Sequence, residues 1–485
     1  MTTGTATDRN PAKEPAAAAA TRKGGGGRTR RLSLRNPELR SILLLGDALA
    51  IGGAAWIGPY VWAAFDPNYQ PAATVPYWQA LSIALWLIAL RITTGDGPQS
   101  TRLMRRSLAS VGQALLGMTG LVLALFYVAP FFAPRGSTLI SLPIVAATVV
   151  VWRALYVRLL GSRVFDLYVA IVGTDDGARR TAKLLVESPS SPYRVRAFVA
   201  PIEESDPILG IPVVAARDDL WTVVKGLGVE QLVIGNTQSL PPSMLNELVR
   251  CFDHGVEAIP ATAIYEEISG RVLASALEAD WYAALPTHTR GLYMGVKRIA
   301  DIVFGGVLLV ATLPVMAAVA MMVWFDSGSP ILVRQVRLGM RGRPFVMHKF
   351  RTMRRDAESE GRAIWASQND DRVTRVGRLL RPSRLDELPQ LWDVVRGAMS
   401  LIGPRPERPE FVERLATELP LYRARTLVRP GISGWAQVEY RYAGSIADNL
   451  TKLEYDLFYL RHIGPLIDLT IAVRTLSIVL RMRAQ

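Results

Sequence analysis

Apolar residues gather in five long runs along the chain, and between the fourth and the fifth the pattern changes to short alternating blocks. The first four runs, Ile42 to Phe65, Val75 to Leu90, Val111 to Phe132 and Leu139 to Leu160, predict four membrane-spanning helices. The second is short against the roughly 20 residues that a span needs. Charges in the connecting segments orient them. Arg30, Arg31, Arg35 and Arg40 precede the first run, and Arg91, Arg102, Arg105 and Arg106 lie between the second and third. The other two loops carry only Arg135. By the positive-inside rule the N-terminus, the middle loop and the exit past Arg158 and Arg163 face the cytoplasm. A soluble four-helix core is the alternative, and this charge asymmetry speaks against it.

Residues 1–37 are rich in Ala, Gly and Arg without apolar periodicity, which predicts a disordered basic tail near an anionic membrane face. The tail has no apolar core, so no cleavable signal peptide is expected. Residues 38–163 form the four-span segment. Residues 164–263 alternate strand and helix patterns, as in "DLYVAIVGTDDGARRTAKLLVES" and "EQLVIGN", and predict a Rossmann-like α/β domain. Its turn from Gly173 to Gly177 has room for a phosphate at a helix N-terminus. The full GxGxxG pattern is missing, which favours a regulatory or structural role over dinucleotide binding. Residues 264–296 read as a linker.

The fifth run, Ile299 to Phe325, is long enough to cross a bilayer of about 30 Å, but both flanks are basic: Lys297 and Arg298 before it, Arg334, Arg337, Arg341 and Arg343 after it. Both ends thus prefer the cytoplasmic side. Pro314 lies mid-run, where it removes a backbone donor and favours a bend. These features predict a re-entrant helix-break-helix, with a kinked fifth span as the competing reading. The carbonyl freed near Val310 then needs a partner such as Thr312, and Asp301, at the membrane face, calls for Arg298 or another arginine.

Composition adds a partner class. The 485 residues carry a formal net charge of +14 with 50% hydrophobic residues, and the mean hydropathy is +0.20. The positive charge suits a polyanion: nucleic acid, an anionic lipid surface or a phosphorylated substrate. Cys251 is the sole cysteine, and His254, His288, His348 and His462 lack ligand spacing, so neither a disulfide nor a zinc site is expected.

The chemistry concentrates in "RPSRLDELPQLWDVVRGAMSLIGPRPE", Arg381 to Glu407, where Asp386 and Glu387 stand among Arg381, Arg384, Arg396 and Arg405. Acidic residues in the first turn of a surface helix are the plain reading of such a pair. The surrounding motifs change it. "KRIADIV", "PILVRQVRLGMRGRPFVMHKFRTM", "RLDELPQLWDVVRG", "SLIGPRPE" and "VRPGISGWAQV", in this order from Lys297 onward, closely resemble the bacterial sugar transferase family of polyprenyl-phosphate hexose-1-phosphate transferases. With the preceding spans and the α/β segment, the whole chain is similar to the large members that start exopolysaccharide, capsule or O-antigen synthesis.

That resemblance implies a mixed α/β catalytic domain over residues 297–485, mounted on the re-entrant helix at the cytoplasmic face of the bacterial inner membrane. It implies transfer of a sugar 1-phosphate from a UDP-sugar to undecaprenyl phosphate, with Mg²⁺ as cofactor. It implies no nucleic-acid partner, and it leads to the expectation of a homodimer. Asp386 falls on the family's nucleophile and Glu387 on its metal-binding acid. Arg381 matches a phosphate-contacting arginine, and Pro404, Arg405 and Pro406 fall in the nucleotide-sugar region. Lys349, Arg351 and Arg429 are further candidates for phosphate contacts. Nearby arginines are expected to keep Asp386 ionised. Arg384 departs from the pattern, standing where many relatives carry a small hydroxylated residue.

Two other classes remain open. "YMGVK" places Tyr293 and Lys297 at the spacing of a short-chain reductase pair, which suggests a membrane-tethered nucleotide-sugar dehydratase or epimerase. A non-catalytic scaffold for polysaccharide assembly is the other. The C-terminal segment past Asp456 reads either as a core-facing helix or as an amphipathic helix at the lipid interface. No motif reports which sugar is moved.

Overall fold

The computed structural model describes residues 36–70, 76–94, 104–128, 135–160, 166–188, 191–201, 206–216, 219–237, 240–276, 290–355, 357, 370–440 and 445–480. The expected basic tail up to residue 35, Arg102, Arg163 and residues 277–289 of the expected linker lie outside the described residues. Helices α1 (Asn36–Ala63), α2 (Pro76–Thr94), α3 (Met104–Val128) and α4 (Arg135–Leu160) pack around Ile51, Trp86, Met118, Val145 and Val149. Helices α1 and α4 approach closely because Gly46 faces Trp152 and Gly58 faces Ser141; a Cβ on either glycine would come within 2.0 Å of that side chain. Leu45, Leu49, Trp56, Leu123 and Val151 stay exposed on the outside, where acyl chains would cover them. α1, α3 and α4 are long and apolar enough to cross a membrane, whereas the apolar stretch of α2, Trp78–Arg91, is shorter. One charged pair lies inside this bundle. Arg153 donates to both carboxylate oxygens of Asp47, at 3.2 and 2.8 Å, and to Ser110 Oγ at 2.8 Å, so one guanidinium joins α1, α3 and α4.

Next comes an all-parallel five-stranded sheet, built from β1 (Leu167–Val172), α5 (Asp176–Glu187), β2 (Tyr193–Ala200), β3 (Val213–Ala215), α6 (Leu220–Leu227), β4 (Gln231–Ile234), α7 (Pro242–Asp253), β5 (Glu257–Pro260) and α8 (Ala261–Ser269). The strand order is β3-β2-β1-β4-β5. The alternation of β1 fills both faces: Val169 and Ile171 pack with residues of α5 and α8, while Ala170 and Val172 pack with residues of α6 and α7. Helix α8 crosses the expected boundary at residue 263, because Ile264 and Ile268 belong to this core. The place proposed for a phosphate, between the β1 and β4 loops, holds the chain's own carboxylate. Asp175 accepts from Ala178 N at 3.2 Å and from Asn236 N at 3.1 Å. A side chain thus supplies the anion that the N-terminus of α5 favours.

The remainder comprises α9 (Arg290–Ser327), the antiparallel hairpin β6 (Leu332–Leu338) and β7 (Pro344–Phe350), α10 (Arg375–Ser383), α11 (Gln390–Val395), β8 (Ser400–Ile402), α12 (Pro409–Glu418), β9 (Gly431–Ser433), α13 (Trp435–Glu439), α14 (Ile446–His462) and α15 (Pro465–Leu480). Strands β8 and β9 pair in parallel. Their loops lie backbone to backbone, so that a Cβ on Gly431 would sit 2.1 Å from the Gly403 nitrogen. This part joins the α/β unit through Trp435 Nε1, which donates to Gly270 O at 3.0 Å, and through Arg461 and Glu266 at 2.8 Å.

Helix α9 departs from several expectations. It runs unbroken through Pro314 rather than as two separated helices. Thr312 Oγ1 bonds to Leu308 O at 2.7 Å and to Leu309 O at 3.3 Å, not to the carbonyl of Val310. Among the described residues no ion pair joins Asp301 to an arginine: it accepts from Ser400 Oγ and Leu401 N, both at 3.0 Å. Arg298 spends its two terminal nitrogens on the carbonyls of Val394 and Val395, at 2.7 Å each, closing the end of α11. Tyr293 and Lys297 both donate to Asp468 Oδ2 at 2.6 Å, with Tyr459 on Oδ1 at 2.9 Å. The pair that resembles a reductase motif therefore anchors α9 to α14 and α15. Helix α15, in the C-terminal segment, buries Ile467 and Ile471 in the core and leaves Leu466, Leu469 and Leu476 exposed.

Candidate active site

Asp386 and Glu387 lie on a single 3₁₀ turn, Leu385–Glu387, between α10 and α11. Helix α10 ends at Arg384, whose backbone is left-handed at φ 55° and whose N–H donates to Arg381 O at 3.2 Å. A non-glycine residue pays conformational energy there, and the chain reversal it makes turns both carboxylates inward. Each is 9% exposed.

Cations surround the pair. Arg405 Nη2 donates to Glu387 Oε1 at 2.7 Å, and Arg384 Nη1 stands 3.7 Å from Oε2. Burial works against the Glu387 charge, but Arg405 and Arg384 outweigh it and hold this carboxyl below its ordinary range. Asp386 goes the other way. Burial and then the Glu387 charge raise it to about 6, with Lys349, Arg405 and Arg381 opposing. The arginines expected to keep Asp386 ionised are outweighed by burial and Glu387 in the direction of the shift, yet a carboxyl raised to about 6 is still mostly ionised at neutral pH. Lys349 on β7 is pushed down to about 8, first by burial and then by Arg337. The result is a buried nucleophile candidate with a carboxylate neighbour and a ring of basic side chains.

The six basic or loop residues expected to contact substrate separate in space. Lys349, Arg381 and Arg405 act electrostatically on Asp386. Pro404 shapes the loop that carries Arg405, its carbonyl accepting from Gly431 N at 2.9 Å. Arg351 lies elsewhere, with Nη1 donating at 3.1 Å to Ser327 O at the end of α9. Arg429 donates from Nε to Gly397 O at 3.2 Å, and lines a cavity with Lys297, Arg298 and Asp301. Arg351 and Arg429 therefore hold backbone carbonyls near the two ends of α9.

Comparison with known proteins places this part of the chain in a family. The family model for bacterial sugar transferases matches residues 292–482. The uncharacterized sugar transferase EpsL of Bacillus subtilis is 37% identical over 191 residues, 39% of this chain and 88% of that protein. The chain belongs to the bacterial sugar transferase family. Other family relatives are the UDP-N-acetylgalactosamine-undecaprenyl-phosphate N-acetylgalactosaminephosphotransferase of Aeromonas hydrophila, 37% identical over 233 residues, and the UDP-glucose:undecaprenyl-phosphate glucose-1-phosphate transferase of Caulobacter vibrioides, 39% identical over 183 residues. The matches cover 48% and 37% of this chain, and 54% and 67% of the respective relatives. The match thus spans about half the length of the Aeromonas relative.

Arg384, expected beside the dyad and noted as a departure from the family pattern, is in the site, 3.7 Å from Glu387. Within the family-matched region, sequence reasoning passed over two contributors. Arg425 donates from Nη2 to Arg405 O at 3.2 Å and from Nε to the buried Asp456 at 2.7 Å, steadying the loop of Arg405 from behind. Thr352 Oγ1 receives Arg381 Nε at 3.1 Å. A divalent cation also fits this sugar transferase site. Glu387 Oε2 is buried without a hydrogen-bond partner, and Mg²⁺ favours sites with one or two carboxylates completed by substrate phosphates and water. Among the described residues no group of three or more metal-binding side chains occurs, so substrate oxygens would have to complete such a site.

Proposed function

We propose that this chain transfers a hexose 1-phosphate from a UDP-sugar to undecaprenyl phosphate at the cytoplasmic face of the membrane. The observation that carries the proposal is the buried Asp386–Glu387 pair ringed by Lys349, Arg381, Arg384 and Arg405. An Asp386 oxygen attacks the sugar-bearing phosphorus; the bond to the UMP oxygen breaks and UMP leaves. An oxygen of undecaprenyl phosphate then attacks the same phosphorus, the bond to Asp386 breaks, and the sugar remains on a lipid diphosphate. Arg381, Lys349 and Arg405 bind and orient the donor phosphates. Glu387, with Asp386 beside it, would hold Mg²⁺, which supplies Lewis-acid neutralisation of the phosphoryl charge when bound.

The membrane placement follows α9. Arg298 near its start holds α11, and Val319 and Val323 near its end pack on Phe350 and Leu380 of the same domain. A straight helix of 38 residues would be about 57 Å long, far more than one crossing needs. Between the two attachments Val307, Val310 and Leu313 are exposed. We therefore read α9 as a continuous helix that enters and leaves by the cytoplasmic leaflet, and α15 as lying along the lipid interface. The parallel sheet is read as a Rossmann-like unit without a dinucleotide, since Asp175 fills its anion position. Mg²⁺-dependent release of UMP from a panel of UDP-sugars, with undecaprenyl phosphate present, tests the assignment. Asp386→Asn, which keeps size but loses the nucleophilic charge, is expected to abolish it. Near-normal UMP release by a folded Asp386→Asn protein would refute the catalytic role.

A further inference from the structure

Arg381 is the one dyad-facing cation whose hold on the protein runs through a side-chain hydroxyl. Its Nε donates to Thr352 Oγ1 at 3.1 Å, and among the described residues no hydrogen bond to either of its terminal nitrogens is formed. Thr352 itself is fixed from several sides. It is 3% exposed, and its carbonyl accepts from Thr374 N at 3.0 Å. Gly377 lies against that carbonyl so closely that a Cβ there would be 2.2 Å from the oxygen. Thr374 in turn caps α10, accepting from Gly377 N at 2.9 Å. The hydroxyl that meets Arg381 is therefore attached to the same contact that seats the helix carrying Arg381.

A guanidinium is a planar fork, so fixing Nε fixes the plane in which the two terminal nitrogens present their hydrogens. A free arginine must be ordered by its ligand at an entropic cost. We propose that Thr352 is a positioning residue that aims the Arg381 fork at a phosphate group beside Asp386. The proposal rests on the transferase reading for the identity of that phosphate, the donor diphosphate. Thr352 touches Arg381 rather than the reacting atoms.

The test is a cycle of full-length proteins: wild type, Thr352→Val, Thr352→Ser, Arg381→Ala, and Arg381→Ala with Thr352→Val. Two quantities are measured, the binding of inorganic pyrophosphate and the KM and kcat for UDP-sugar. Valine matches the shape of threonine but has no acceptor. Thr352→Val is expected to weaken pyrophosphate binding and raise KM by the order of tenfold, the usual effect of losing a hydrogen bond to a charged group, with a smaller change in kcat. Thr352→Ser should restore both values. In the Arg381→Ala background the valine substitution should have no further effect. A valine effect of equal size in that background, or none in the wild-type background at unchanged melting temperature, would overturn the proposal. Should Thr352→Val fail to fold, the serine variant and Thr352→Ala decide by the same comparison. If wild type releases no UMP from any UDP-sugar, the transferase reading fails, while the pyrophosphate cycle still decides whether Thr352 aims Arg381.

Discussion

A bell-shaped pH dependence of donor use follows from two groups at the dyad. On the proposed mechanism Asp386 must be ionised to attack, so activity is gained as pH rises through about 6, the value to which burial and Glu387 raise it. Lys349 must be charged to bind phosphate, so activity is lost as pH rises through about 8, the value to which burial lowers it. For two such ionisations about 83% of the free enzyme is in the competent form at pH 7, against about 9% at pH 5 and about 9% at pH 9. The expected change in kcat/KM is therefore about ninefold on either side of pH 7. Initial rates of UMP release at limiting UDP-sugar, from pH 5 to 9 at constant ionic strength, measure it. Lys349→Met should remove the alkaline limb. It should also move the acid limb upward, because it deletes a charge that favours the Asp386 carboxylate. A profile flat between pH 5 and 7 would refute the assignment of Asp386, and an alkaline limb unchanged in Lys349→Met would refute that of Lys349.

Two predictions concern the membrane part. Asp47→Ala or Arg153→Ala leaves a buried charge without its partner and should each cost about 3–5 kcal/mol, with the double variant recovering much of the loss; stability of the purified protein in mixed detergent micelles checks this, and additive losses would contradict it. On a Cys251→Ser background, single cysteines at positions 298 and 343 should both be shielded from an impermeant reagent in intact cells and label after permeabilisation. Labelling of position 343 in intact cells would sink the re-entrant reading of α9.

Much of this architecture is written in local patterns. The apolar runs of the bundle carry their own length and charge signals, and the strand-helix alternation around Gly173 carries the parallel sheet. The neighbouring pair Asp386 and Glu387 was legible because the two are adjacent and flanked by recurrent motifs. Partner choice across the fold was not. Asp301 was expected to meet Arg298 or another arginine because a carboxylate at a membrane face needs a partner, yet a hydroxyl and an N–H at the start of β8 take its oxygen. Arg429 and Arg351, candidates for phosphate contacts, each also donate one nitrogen to a carbonyl of another segment, a bond their place in the sequence does not announce. The same limit hid the fate of the Gly173 turn, where Asn236, 61 positions away, completes the bonding of Asp175. The raised titration of Asp386 depends on burial, which charge counting along the chain does not reveal.

The covalent intermediate is tested most directly by isotope exchange without acceptor. Purified protein is incubated with a UDP-sugar, labelled UMP and Mg²⁺, with undecaprenyl phosphate rigorously excluded, and label is followed into the UDP-sugar. If, as proposed, the first displacement is complete before the lipid enters, label should exchange in wild type, stop on addition of EDTA and be absent in Asp386→Asn. Exchange that strictly requires undecaprenyl phosphate would contradict the phosphosugar–Asp386 intermediate and favour direct transfer between the two substrates.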